Sequence, residues 1–264
     1  MTAGEPVTLS VEDGIATVTL NRPDSLNALS QEVMRSLERQ VDVIGQLSEI
    51  RVVLITGAGR AFSAGGNLLE FEDMLATDKM MLLAQLRYNQ DVFGKIEDLA
   101  MPVVGVANGV AVAGGLELLL CCDMILASED AKIGDGHTRY GVMPAGGATV
   151  RLEEWISPPR AAQLFYTASL YNAAVLRDWG LVNEVVPADH LMDRAVELAR
   201  EIAERSPEAI RHIKALRRKG RPQSRDLRLR AELDHFAQHV NGADFAIGLS
   251  AFRNRLSPRF RSPQ

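Results

Sequence analysis

Residues 101–127 read Met101-Pro102-Val103-Val104-Gly105-Val106-Ala107-Asn108-Gly109-Val110-Ala111-Val112-Ala113-Gly114-Gly115-Leu116-Glu117-Leu118-Leu119-Leu120-Cys121-Cys122-Asp123-Met124-Ile125-Leu126-Ala127. The run from Pro102 to Val106 predicts a buried strand, Gly114-Gly115 opens a helix, and Met124 to Ala127 is the next strand. Strand, helix and strand in that order predict an α/β protein with parallel pairing. The same alternation extends toward the N-terminus. Val7–Val11 and Ile15–Leu20 flank the hairpin turn Asp13-Gly14. Ser30 caps a helix whose apolar positions are Val33, Met34, Leu37, Val41, Ile44 and Leu47. Arg51 to Thr56 is a short buried strand that runs into Gly57-Ala58-Gly59, and Lys79 to Glu97 is a second helix. Beyond about Asp189 only helices follow, over Ala195–Glu204, Pro207–Lys219, Asp226–Val240 and Ala243–Arg255. An α/β core over 1–190 and a helical region over 191–264 result, the latter packing its apolar faces on the core or on another subunit.

Composition narrows the class. The chain has 264 residues, 47% hydrophobic and 24% charged, as in ordinary globular proteins. That length buries roughly three quarters of the unfolded surface, so no disulfide or metal staple is needed. Lys plus Arg number 29 against 34 acids, a net charge of −5 that argues against a nucleic-acid partner. Cys121 and Cys122 are adjacent, which fits neither a disulfide framework nor zinc and suits a reducing cytoplasm. The acidic N-terminal stretch is unlike a secretory signal, and no apolar run approaches the ~20 residues of a membrane span. The expectation is a cytoplasmic protein without metal or membrane contact. The basic cluster from Arg211 to Arg221 reads as a solvated helix end, or as a surface for an anionic ligand.

Two glycine-rich segments stand next to strands, Gly57 to Asn67 and Asn108 to Glu117. Neither is a nucleotide loop. Phe62 occupies the third glycine position of the dinucleotide fingerprint, and no Gly-Lys-Ser/Thr follows either segment. Bare backbone at a helix start can bind an anion or a developing oxyanion; close packing and tight turns are the alternative. Glu117 separates the two readings. Set among Leu116, Leu118, Leu119 and Leu120, its carboxyl is costly to ionise and its proton affinity rises, as a general acid or base near neutral pH requires.

These segments, taken in order along the chain, resemble the crotonase (enoyl-CoA hydratase/isomerase) superfamily. The match is carried by Asn21-Arg22-Pro23 with Asn27-Ala28-Leu29, by Gly57 to Leu68, and by Met101 to Asp123. It continues through Gly141 to Gly147, Gly180 to Val186, Ser206-Pro207 and the tail Phe252 to Phe260. The resemblance implies a spiral of ββα turns followed by a helical region that builds trimers, often paired into hexamers. It implies an acyl-CoA thioester as substrate, with coenzyme A entering only as part of it and no separate cofactor. The N–H groups of Gly66 and Gly114 would hold the thioester enolate. Ala64 would touch the CoA adenine, Gly65, Asn67 and Leu68 would complete that wall, and Arg255 would meet a CoA phosphate. Asn67 replaces a common Asp of the first segment. Met74, Leu75, Met80, Met81, Leu82 and Leu83 either line an acyl pocket or form helix core and subunit contacts.

One position departs from the pattern. Two-carboxylate hydratases carry a first Glu at Glu117 and a second at the position of His137. The preceding Gly136 stands where a bulkier residue is usual, and Asp135 either orients the imidazole or caps the turn. Three chemistries remain open: hydration shared by Glu117 and His137, isomerisation by one base, and C–C hydrolysis. A diketone-hydrolase branch also has His here, but carries an Asp where this chain has Gly146. The competing class is a non-catalytic acyl-CoA-binding oligomer.

Overall fold

The computed structural model describes residues 4–220 and 223–260. Strands β1 (Val7–Glu12) and β2 (Ile15–Leu20) form the expected hairpin, with Asp13 at φ 51° and Gly14 at φ 77°. Two consecutive left-handed residues match the right-handed twist of the flanking strands. Helix α1 (Gln31–Gln46) starts where Ser30 Oγ accepts the Val33 N–H at 3.2 Å, and it buries Val33, Met34, Leu37, Val41 and Ile44.

A ββα unit then repeats. β3 (Val52–Gly57) and β4 (Ala61–Ser63) lead into α2 (Leu68–Thr77) and α3 (Lys79–Asp98). β5 (Val103–Ala107) and β6 (Val110–Val112) lead into α4 (Gly114–Leu120). β7 (Met124–Ser128) and β8 (Lys132–Gly134) lead into α5 (Ala148–Trp155) and α6 (Pro158–Thr167). The first strand of each unit joins one sheet and the second joins another. After β9 (Tyr171–Asn172), α7 (Ala173–Trp179) and β10 (Glu184–Val186), the orders are β1-β2-β3-β5-β7-β10 and β4-β6-β8-β9. Pairing is parallel except for β1 with β2 and β8 with β9. β3, β5 and all of α4 are buried, as their unbroken apolar runs require. The fold is the spiral α/β architecture expected. The strands of the small sheet and α5 to α7 lie beyond the sequence reading, because two- and three-residue strands carry no periodic signal.

The last helices divide by environment. α8 (Leu191–Ala203) covers the large sheet with Leu191, Ala195 and Ala199 against Val52, Leu54 and Val104. α9 (Pro207–Gly220) docks through Lys214, whose Nζ donates to Met101 O and pairs with Asp123, both at 2.8 Å. Arg218 pairs with Asp98 at 2.8 Å. The basic cluster is therefore partly neutralised against the core rather than wholly solvated, since Asp98 ends α3 and Asp123 stands between α4 and β7; Arg221 lies outside the described residues. α10 (Arg225–His239) buries no residue and exposes Leu227, Leu229, Leu233 and Phe236, and α11 (Ala243–Asn254) exposes Leu249 and Phe252. Among the described residues, no helix is long and apolar enough to cross a membrane, and no His, Cys, Asp or Glu group is placed to hold a metal ion.

Candidate active site

Two asparagines, Asn27 buried and Asn108 partly buried, hold the glycine segments in place. Asn27 is fully buried, and its Nδ2 donates to Ala58 O at 2.9 Å and Ala61 O at 2.8 Å. Asn108 accepts the Gly57 N–H at 3.1 Å and donates to Gly59 O at 2.9 Å. Ser63 Oγ donates to Asn27 O and accepts the Gly65 N–H, while Leu29 N–H donates to Gly65 O at 2.7 Å. Gly65 has φ +87°, and a Cβ there would lie 2.7 Å from Val112 O and 3.0 Å from Gly114 N. Only glycine permits this approach. A Cβ on Gly114 would lie 3.4 Å from Gly66 N, so the two backbones meet at these residues.

Gly114 is the first residue of α4, where an N–H has no intrahelical partner. Neither Gly66 nor Gly114 donates its N–H to an acceptor among the described residues. Ala113 turns the chain into α4 with φ 52° and ψ −117°. Such a conformation costs a non-glycine residue roughly 1–3 kcal/mol. Its own N–H donates to Asp135 O at 2.9 Å.

Glu117 lies one helical turn further on and is 4% exposed. Its Oε1 accepts the N–H of Gly146 at 2.7 Å and of Ala148 at 3.1 Å, while no described residue donates to Oε2. Burial pushes this carboxyl above the ordinary carboxylate range. The Ala148 N–H, the nearby His137 ring and the Gly146 N–H oppose that rise without cancelling it. Arg151 supports the cradle from behind: Nη1 donates to Gly146 O at 2.6 Å and Nη2 to Glu97 Oε2 at 2.7 Å.

His137 opens a 3-10 turn over His137–Tyr140. Gly136 before it has φ +70°, which proline cannot adopt, and a Cβ there would lie 2.5 Å from Val112 Cγ2, so a side chain is strained and needs Val112 to move. The His137 side chain is 11% exposed and that of Asp135 is 0% exposed. Asp135 both orients the ring and caps the turn: Oδ1 lies 2.9 Å from Nδ1, and Oδ2 accepts the His137 backbone N–H at 3.3 Å. Nε2 has no partner among the described residues.

One cavity of about 190 Å³ collects most of these groups: Gly66, Gly114, Glu117 and His137, with Ala64 and Leu68. Gly65 and Asn67 do not line it. Gly65 shapes the approach, and Asn67 caps α2 by accepting the Leu69 N–H at 3.2 Å. Arg255 ends α11 on the exposed surface and does not line the cavity. Of the six residues over 74–83, only Leu82 reaches it; Met74 is buried elsewhere and the other four are exposed. The apolar wall instead comes from Leu82, Leu86 and Phe93 of α3 with Phe71, Val142 and Met143. Leu82, Leu86, Asn89 and Phe93 follow the i, i+4, i+7, i+11 spacing of one helix face, a signal present in the sequence. Tyr140, Val142 and Met143 sit in a turn, where no periodicity marks them.

The site thus offers two unpaired N–H groups at a helix start, a buried carboxylate and a carboxylate-bound imidazole on one apolar cavity. Comparisons with known proteins identify the family. Residues 10–263 match the profile of the enoyl-CoA hydratase/isomerase family. A crotonyl-CoA hydratase of Syntrophomonas wolfei is 31% identical over 98% of this chain and 99% of its own. A short-chain-enoyl-CoA hydratase of Clostridium acetobutylicum is 32% identical over 93% of this chain and 94% of its own. The crystal structure of an enoyl-CoA hydratase from Bacillus anthracis superposes with TM-score 0.92 at 29% identity, covering 98% of this chain and 100% of that one. The chain belongs to the enoyl-CoA hydratase/isomerase family.

Proposed function

We propose that the protein hydrates a trans-2-enoyl-CoA to the 3-hydroxyacyl-CoA. The thioester oxygen accepts the Gly66 and Gly114 N–H groups, which bind most strongly once that oxygen carries the enolate charge. A water molecule donates its two protons to Oε2 of Glu117 and Nε2 of His137. As its oxygen bonds C3, the C2–C3 π pair moves toward the thioester and one water proton passes to Nε2. The enolate then collapses and takes that proton at C2, so one water is added across the double bond. Glu117 stays ionised throughout and orients the water. Ala64 and Leu68 take the adenine side, and no cofactor beyond the CoA of the substrate enters.

The observation that carries this reading is the meeting of Glu117, His137 and the two free N–H groups on one apolar cavity. The names and near-full-length similarity of the two hydratase relatives support it. The Asp that C–C hydrolysis would place at position 146 would crowd Glu117 as it stands here. A Cβ on Gly146 would already lie 2.4 Å from Glu117 Oε2. A non-catalytic binder would have no use for a buried carboxylate whose second oxygen is unengaged.

Assembly and location complete the proposal. The region over 191–264 joins copies of the chain into a trimer or a hexamer through the exposed apolar faces of α10 and α11. Both cysteines are free and buried, which fits the reducing cytoplasm. The test is incubation with crotonyl-CoA and a medium-chain trans-2-enoyl-CoA, following loss of the conjugated thioester absorbance. Turnover of either supports hydration. CoA binding without turnover rejects it in favour of the binder.

A further inference from the structure

We propose that Asp135 is the positioning residue that decides which nitrogen of His137 carries the proton. The inference rests on the reading that His137 moves a proton through Nε2. Its basis is the way a single buried carboxylate is used twice. Oδ2 accepts the His137 backbone N–H at 3.3 Å, and a backbone N–H can only donate. Oδ1 lies 2.9 Å from ring Nδ1. A carboxylate only accepts, so Nδ1 is the protonated nitrogen of the neutral ring and Nε2 keeps a bare lone pair.

Three further features make the arrangement rigid. Asp135 is fully buried, so water does not compete for either oxygen. Gly136 holds a left-handed turn in which a Cβ would crowd Val112, and the turn folds the side chain at 135 back onto the ring two residues later. The main-chain oxygen of Asp135 accepts the Ala113 N–H at 2.9 Å, immediately before Gly114. One residue therefore fixes the imidazole and also ties it to the strand end that presents the free N–H. In the proposed reaction the lone pair on Nε2 is the one that takes the water proton, so reversing the tautomer removes the acceptor while leaving the cavity intact.

Asp135→Asn is the discriminating substitution. The amide oxygen must stay on the His137 backbone N–H, which turns the NH₂ group toward Nδ1 and forces the ring proton onto Nε2. Side-chain ¹⁵N spectra of histidine-labelled protein, with H137Q for assignment, read the tautomer directly at a pH where the ring is neutral. Native protein is expected to show a protonated Nδ1 and a bare Nε2, and D135N the reverse. With crotonyl-CoA, D135N is expected to lose about 10²-fold in kcat, with KM changed by no more than about twofold. In an H137Q background, D135N is expected to leave the residual rate unchanged, because Asp135 acts only through the ring. A protonated Nε2 in the native protein would overturn the proposal, and that spectrum needs no variant to fold. An equal loss from D135N with and without His137 would also overturn it, since that is the behaviour of a merely structural residue. The reversed tautomer in a protein that turns over no enoyl-CoA would uphold the positioning of His137 and reject hydration instead.

Discussion

Glu117 and His137 enter the same cavity on opposite kinds of support. Glu117 rides a fully buried helix, and its carboxylate is met only by two neutral backbone N–H groups. His137 stands on a short turn, and its ring is met by a fully buried carboxylate. Neutral dipoles in an apolar setting leave the charge on Glu117 expensive, so burial governs its protonation. A carboxylate beside an imidazole instead fixes the ring and its tautomer. The pair is thus a buried carboxylate that orients the water next to a steered base.

The largest effect expected is from Glu117→Gln. Its amide oxygen can still accept the Gly146 and Ala148 N–H groups, yet no carboxylate faces the water. The rate of enoyl-CoA hydration should fall by about 10²–10⁴-fold with CoA binding retained, and an E117Q enzyme as active as the native one would remove Glu117 from the mechanism. Gly114→Ala probes what both groups serve. The added Cβ would sit 3.4 Å from Gly66 N and cover the free N–H pair. Its kcat should drop about 10²–10³-fold, and a native kcat would show that the thioester oxygen lies elsewhere.

Arg151→Met tests the support under Glu117 alone. The Gly146 carbonyl loses its guanidinium donor, and kcat should fall about tenfold through misplacement of the cradle. An unchanged kcat would mean that the turn holds itself. The pH dependence sharpens the contrast further. Because burial holds the Glu117 carboxyl above the ordinary range, kcat/KM should fall on acidification at a pH above that of a free carboxylate, and E117Q should lack that limb. The smallest effect is on stability. A carboxyl whose folded-state pKa exceeds its unfolded value binds its proton more tightly when folded. Its ionisation therefore costs stability above the folded pKa, and the cost disappears as pH drops below the unfolded value. E117Q, which cannot ionise, should melt a few degrees above the native protein at pH 8 and lose that margin near pH 4. A lower melting temperature at pH 8 would show that the carboxylate is better compensated than its surroundings indicate.

Long periodic elements were legible in the sequence. The Asp13-Gly14 turn, the Ser30 cap, the buried runs over Val52–Gly57 and Val103–Ala107, and the four closing helices all carry local signals that tertiary packing did not override. The short strands beginning at Ala61, Val110 and Lys132 did not, because each is defined by a neighbour rather than by its own pattern. Glu117 stood out because a charge among four leucines has few explanations. His137 stood out only through the resemblance, and the double use of Asp135 needed the left-handed turn at Gly136 to be seen. The acyl wall was sought one turn too early: Leu82 belongs to it, but Leu86 and Phe93 follow on the same helix face while Met80, Met81 and Leu83 point outward.

The most direct test of the central claim is the mass of the product formed from a medium-chain trans-2-enoyl-CoA in H₂¹⁸O. Hydration between Glu117 and His137 predicts an intact thioester heavier by one water, with a single ¹⁸O at C3. A product of unchanged mass would identify an isomerase and would contradict the account.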